Sequence, residues 1–229
     1  MKKLFRIFLV LVCCLVVLTG CSSEEQVSIE DKNLAELEYL EDNIVLIMNK
    51  FVKNEYFDQD TGTQKWEEIL ADSRKIENGM ATTLVDLAML NIDTEEISKL
   101  STGINNLIIA IEAQDETNLM IELNNIYALI PNYLSKYLKD DELIFKKQLK
   151  YYAISTYVGF NMGNIDLANG QISEAETRYS EKMKDVNYVQ KNEYNVNKVY
   201  VLIQELKNAV SLGSQELVKT KYLLLIDEI

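Results

Sequence analysis

Residues 93–137 read DTEEISKLSTGINNLIIAIEAQDETNLMIELNNIYALIPNYLSKY. Ile97, Leu100, Ile104, Leu107 and Ile111 recur every three or four positions, the spacing of one face of an α-helix. Asp93, with Glu96 three residues on, makes a capping-box pattern, so this helix opens at Asp93 and runs to about 112. Asp115 then supplies a second cap, and Leu119, Leu123, Ile126, Ile130, Leu134 and Tyr137 resume the same period. A turn this short forces the two helices to run antiparallel. Pro131 lacks an N–H to donate and is expected to kink the second of them.

The same period extends in both directions. Leu34, Leu37, Leu40, Ile44, Ile47 and Phe51 predict a helix over about 30–56. Asp58 to Thr63 (DQDTGT) reads as a loop, and Trp66, Ile69, Ile76, Met80, Leu84 and Leu87 mark a helix over about 64–91. On the other side, Asp140-Asp141-Glu142 place negative charge where a helix start favours it. The helix they open carries Phe145, Leu149, Tyr152, Tyr157, Phe160 and Leu167. Asn169-Gly170 is read as its stop signal, with Ser173 and Glu176 as a restart through Ala175, Tyr179, Met183 and Val186. Residues 187–193 read as a turn. Val196, Val199, Ile203, Leu206 and Val210 follow, then the Gly213-Ser214 stop and start, then Leu217, Val218, Leu224 and Leu225. No segment shows sustained alternation of period two. The sequence predicts an all-α fold, an antiparallel bundle of six to seven helices forming one domain over 30–229.

A weak internal repeat appears at an offset of 99 residues. Leu84, Leu87 and Leu90 fall on Met183, Val186 and Val189; Ile97, Leu100, Ile104, Leu107 and Ile111 fall on Val196, Val199, Ile203, Leu206 and Val210. The caps Asp115 and Ser214 coincide, and Leu119 and Ile126 meet Val218 and Leu225. Two helices and the turn between them stay in register without a gap, which is more than amphipathic phase alone requires. Asn169-Gly170 falls opposite Leu70-Ala71 in mid-helix, which favours one long bent helix there over two.

Composition narrows the function. The 229 residues carry a formal net charge of −13, with no His, one Pro and three Cys. Without His there is no His-based triad, no His metal ligand and no histidine pH switch. The acidic balance argues against nucleic acid as a partner.

Residues 1–21 read MKKLFRIFLVLVCCLVVLTGC. Lys2, Lys3 and Arg6 precede a 12-residue apolar run, Ile7 to Leu18, which has the length of a signal-peptide core and is too short for a membrane span of about 20 residues. It ends in Leu18-Thr19-Gly20-Cys21, which resembles the lipobox of bacterial lipoproteins. That resemblance implies cleavage between Gly20 and Cys21, a diacylglycerol on the Cys21 sulfur, and a place on the extracytoplasmic face of the bacterial cell membrane. Residues 1–20 are then the lost signal peptide and 21–29 an acidic tether. Cys13 and Cys14 leave with the signal and Cys21 is blocked, so no disulfide remains. Loss of three positive charges takes the net charge from −13 to −16, so the body is repelled by anionic lipid while the acyl chains hold it. With the lipobox, Trp66-x-x-Ile69-x-x-Asp72, the stretch Leu107 to Ile126 and the closing Val218-Lys219-x-Lys221, the chain resembles an uncharacterised all-helical lipoprotein group of low-GC Gram-positive bacteria. The resemblance implies a helical fold and carries no functional residue.

Candidate chemistry is sparse. Glu36, Glu38, Glu41 and Asp42 on the first helix, with Glu67, Glu68 and Asp72 on the second, could act in acid–base work or hold a hard cation, but a solvated acidic surface is the plainer reading. Asp58-Gln59-Asp60-Thr61-Gly62 begins like an EF-hand loop, yet Glu67 and Glu68 come too early to close it. No cofactor and no metal site is called. Tyr133, Tyr137, Tyr151, Tyr152 and Tyr157, interleaved with lysines, suit either a contact face or packing at the edge of a core. Asn105, Asn106, Asn124 and Asn125 interrupt apolar faces in mid-helix, where Asn is a poor helix former. They read as interhelical hydrogen bonds, as a polar groove, or as the codon bias of an AT-rich genome.

No nucleophile elbow, S-x-x-K pair or phosphate loop is present, and no enzyme is expected. The expected function is that of a lipid-anchored helical module that binds a protein or envelope partner. The alternative is a solute- or cation-binding lipoprotein serving a transporter. If the repeat holds, the hairpins at about 94–130 and 193–229 meet around one core. The groove between them would be the binding surface, lined by Asn105, Asn106, Asn124 and Asn125, with Gln204 opposite Asn105 in the repeat, and anchored by Tyr127 and Tyr200.

Overall fold

The computed structural model describes residues 28–229. The called anchor residues Gly20 and Cys21 lie outside them. Nine helices and one two-stranded hairpin make up the described residues, in the order α1 (Ile29–Val52), β1 (Phe57–Asp58), β2 (Thr63–Gln64), α2 (Trp66–Met89), α3 (Thr94–Glu112), α4 (Glu116–Tyr137), α5 (Asp141–Asn161), α6 (Ile165–Lys182), α7 (Val186–Lys191), α8 (Glu193–Ser211) and α9 (Gln215–Glu228). The all-α reading holds. Among the described residues, no helix is long and apolar enough to cross a membrane.

The caps explain most boundaries. The side chains of Asp93, Asp115, Asp140 and Ser214 accept backbone N–H groups from the first turns of α3, α4, α5 and α9. Ser28 does the same for α1, so the helix begins within the stretch read as tether. Pro131 is buried inside α4, which continues through it to Tyr137.

Three boundaries differ from the sequence reading. The break after α5 lies at Met162-Gly163-Asn164 and not at Asn169-Gly170, which sits within α6. Gly163 takes φ +73, the left-handed conformation that ends a helix most cheaply, and the Asn164 side chain at once caps Leu167. The single bent helix is therefore two helices. Residues 187–193 are not a turn, because Asp185 accepts from the N–H groups of Asn187 and Tyr188 and starts α7. The first helix stops at Val52 rather than 56, and the loop at 58–63 closes an antiparallel hairpin, Phe57 opposite Gln64 and Asp58 opposite Thr63.

The chain packs as two four-helix units. In the first, α1 packs on α2, α2 on α3, α3 on α4, and α4 back on α1; in the second, α5, α6, α8 and α9 close the same ring. The repeat is thus structural. At offset 99, Trp66, Thr94 and Glu116 begin helices where Ile165, Glu193 and Gln215 begin theirs, and the left-handed Gln114 (φ 55) falls on Gly213 (φ 66). Burial follows: Leu100, Ile104, Leu107, Ala110 and Ile111 are buried, and so are Val199, Ile203, Leu206, Ala209 and Val210. The register is interrupted between Met183 and Glu193. Leu87 is wholly buried but Val186 is 66% exposed, because α6 ends where α2 continues.

Between α1 and α5 the offset is 109. Lys53 and Met162 donate to Asn49 and Val158, Glu55 and Asn164 donate to Lys50 and Gly159, and the left-handed residues are Asn54 and Gly163. The ten extra residues, Tyr56 to Lys65, are the β-hairpin and its flanks. Tyr56 pins this insertion. Its buried hydroxyl donates to Asp72 Oδ2 at 2.7 Å, beside Lys50 Nζ at 2.6 Å, while Lys75 Nζ reaches Oδ1 at 2.7 Å. Gln64 ties the second strand to Glu116 on α4 at 3.0 Å.

The units share one continuous apolar core. Across the seam α4 packs on α5 and α1 on α9, the pairs that exchange when the two units exchange, so the halves face each other about an approximate twofold axis along the helices. Helix α5 lies in this seam and is buried all round, from Ala153 through Gly159 without interruption.

Candidate functional site

Helices α3 and α4 cross closely because Gly103 carries no side chain. A Cβ there would stand 3.0 Å from Ile126 Cγ1 and 3.9 Å from Glu122 Oε2. A glycine in a helix interior costs about 1 kcal/mol relative to alanine, so the position bears a local penalty for the close crossing it permits. Beside this crossing lies an open groove of about 490 Å³ between the two helices. Its floor is Gly103, Ile126 and Leu129; its walls are Ser98, Thr102, Asn106 and Asn125; Glu95, Lys99 and Glu122 supply charge. Lys99 Nζ lies 3.7 Å from Glu95 on the exposed rim, a pair worth little in water. The groove opens toward the end of the bundle at which α1 begins, since α3 starts at that end.

The second unit provides an internal comparison. Leu202 stands where Gly103 stands in the repeat and is buried, 8% exposed. Ion pairs bridge the two helices there: Lys221 to Glu205 at 2.7 Å, and Lys198 to Glu228. Val201 and Leu224, 50% and 46% exposed, take the places of Thr102 and Asn125. One scaffold therefore carries a hydroxyl- and amide-walled groove in its first half and apolar, ion-bridged residues at the corresponding positions of its second.

The structure does not bring the called groove residues together. The hairpins α3–α4 and α8–α9 belong to different units, and what meets across the seam is α4 with α5 and α1 with α9. Asn125 lines the α3–α4 groove, joined by Asn106; Asn105 is exposed on α3 outside it. Tyr127 is wholly buried on the seam side of α4, where burial first, and then the Glu41 charge, raise its phenol well above the ordinary range. Tyr200 is half-buried and stacks on Tyr179 at 6.4 Å, far from any α3 residue in the fold. Gln204 donates to Glu176 Oε1 at 3.4 Å, joining α8 to α6. Two amides reached the groove; the two aromatic anchors serve packing.

Gly103, Thr102 and Ile126 were not singled out from the sequence. The available signal was the glycine itself, in mid-helix and aligned with Leu202 in the repeat. Of the acidic residues on α1 and α2, Glu41, Asp72 and Asp86 are buried and paired with lysines rather than solvated. No cluster of three or more metal-ligating side chains occurs among the described residues. Comparison with known protein families, with curated proteins and with solved structures returns no match.

Proposed function

We propose that this chain is a lipid-anchored, non-enzymatic binding module on the extracytoplasmic face of a bacterial cell membrane, and that the α3–α4 groove receives a segment of a partner protein. The observation that carries this reading is the contrast at one position of the repeat. Gly103 borders the groove in the first unit, and the buried Leu202 takes its place in the second.

The groove's chemistry suits a polypeptide. Leu129, half-buried, offers an apolar contact for a side chain, while Thr102, Asn106 and Asn125 offer donors and acceptors to a backbone or to polar side chains. Glu122 favours a basic residue on the partner. Lipid at Cys21 would leave eight residues before Ile29, up to about 29 Å of extended tether, so a partner in the membrane or close above it lies within reach.

The test converts the groove rim to its counterpart. In Thr102→Val with Asn125→Leu the first unit takes the residues that the second unit shows to be tolerated. Both positions are exposed, so stability should change by less than about 0.5 kcal/mol. Co-purification of the partner from membranes after in vivo crosslinking should fall sharply relative to the unchanged chain. Undiminished recovery with the double variant would refute the groove as the binding surface.

A further inference from the structure

Four charges in the seam between the two units have a relation that the pairwise contacts alone do not reveal. Glu41 on α1 is 1% exposed and ion-paired with Lys147 at 2.6 Å and Lys150 at 3.2 Å on α5. Glu38 lies 3.7 Å from Lys147. At the offset of 109 set by the matching ends of α1 and α5, Glu38 is the counterpart of Lys147 and Glu41 the counterpart of Lys150. Each glutamate therefore contacts its own counterpart. A residue meets its counterpart only next to the axis that relates two halves, so these pairs mark the axis of the seam.

The consequence concerns which surfaces can pair. The seam faces of the two units are alike: Leu40 and Leu149 correspond and are buried, as do Ile44 and Ala153, and Met48 and Tyr157. Two first units brought together from separate chains would set Glu38 and Glu41 against the same glutamates. Two second units would set four lysines together. Like charges opposed at the desolvated Glu41 and Lys147 disfavour pairing, with a smaller, solvent-screened share from Glu38, whose side chain is 46% exposed, whereas the arrangement within one chain pairs every glutamate with a lysine. Burying Glu41 gives little net stability against an apolar substitute, so its value lies in discrimination.

We propose that Glu38, Glu41, Lys147 and Lys150 form a charge code that directs the first unit to the second unit of its own chain and excludes the corresponding face of a second copy. The chain is then a fused pseudo-dimer protected against exchange with its neighbours. This inference is independent of the groove and of the anchor.

Residues 28–229 carry the continuous apolar core of the described residues and are used for the experiment. The body is refolded from urea at low and high protein concentration, and its mass is read by light scattering after size exclusion. The unchanged body should return as monomer. So should Glu38→Lys/Glu41→Lys/Lys147→Glu/Lys150→Glu, in which the code is reversed but intact. Glu38→Gln/Glu41→Gln/Lys147→Gln/Lys150→Gln erases the code and should yield about tenfold more dimer and larger species, the effect of roughly one factor of ten in pairing preference. Glu38→Lys/Glu41→Lys alone opposes four positive charges and should melt well below the reversed chain, or fail to fold, in which case the first three proteins still decide. A glutamine chain that refolds as cleanly to monomer as the unchanged body would overturn the proposal. So would a reversed chain that oligomerises like the glutamine chain.

Discussion

Replacing Asp72 by Asn removes one charge and almost no volume, and its cost can be worked from the structure. Burial by itself would raise the Asp72 carboxyl, but hydrogen bonds from Lys50, Lys75 and Tyr56 outweigh it and hold the group at about 2, against an ordinary value of 3.8. At about 1.4 kcal/mol for each tenfold change in acidity, this is worth about 2 kcal/mol of folding stability. The separate contacts agree. Lys75 is half exposed and contributes little, whereas the buried Tyr56 hydroxyl and Lys50 at 2.6 Å make strong bonds to a charged acceptor, each worth about 1–2 kcal/mol. A carboxylate lowered on folding stabilises above its unfolded value and loses that contribution as pH falls through its folded value. Urea unfolding should therefore show Asp72→Asn less stable than the unchanged body by about 2 kcal/mol at pH 7, with the gap closing between about pH 4 and pH 2. The loss should be accompanied by faster hydrogen exchange in residues 56–65, which Asp72 pins through Tyr56. A gap under about 0.5 kcal/mol, or one that does not narrow on acidification, would refute the assignment of Asp72 as the charged latch of the hairpin.

Three further expectations follow from other parts of the molecule. Tyr127→Ala should cost about 3–5 kcal/mol, because the ring is wholly buried in the seam, and Tyr127→Phe much less; thermal unfolding checks both. Gln114 and Gly213 hold the same left-handed turn position in the two units, so Gln114→Gly should stabilise and Gly213→Gln destabilise, each by about 1 kcal/mol in denaturant titrations. Cys21→Ala should release the protein or leave an uncut precursor, and mass spectrometry of the unchanged chain should find lipid on Cys21; an unmodified N-terminus at another residue would contradict the anchor.

The helices were legible where a cap and a phase coincide. Asp93, Asp115, Asp140 and Ser214 announced α3, α4, α5 and α9, because a short acceptor side chain ahead of an apolar period has few other uses. The break at Gly163-Asn164 was missed although a glycine and a capping asparagine mark it as Gly213-Ser214 marks its own, because α5 is buried on every side and its apolar residues show no face whose phase could be seen to slip. Asn169-Gly170 then attracted the stop that belonged to Gly163. The groove was half legible. Asn106 and Asn125 declared polar positions on otherwise apolar helices, but which side of the hairpin they would face depended on how the units pack. Tyr127 was misplaced for the same reason. A tyrosine at an apolar helical position suits a wet interface and a buried seam equally well, and only the second unit, packed over it, decides. The charge code could not be read at all from one offset, since the hairpin inserted between α1 and α2 shifts the register of Glu38 and Glu41 by ten residues.

The most direct test of function by contact at the α3–α4 groove is site-specific photo-crosslinking in living cells. A photoreactive residue is placed at Asn125 in the groove or at its counterpart Leu224 in the second unit, both exposed and both on the last helix of their unit. Capture of one partner protein from position 125 and not from position 224 is the predicted result. Equal capture from both positions, or capture from 224 alone, would contradict it.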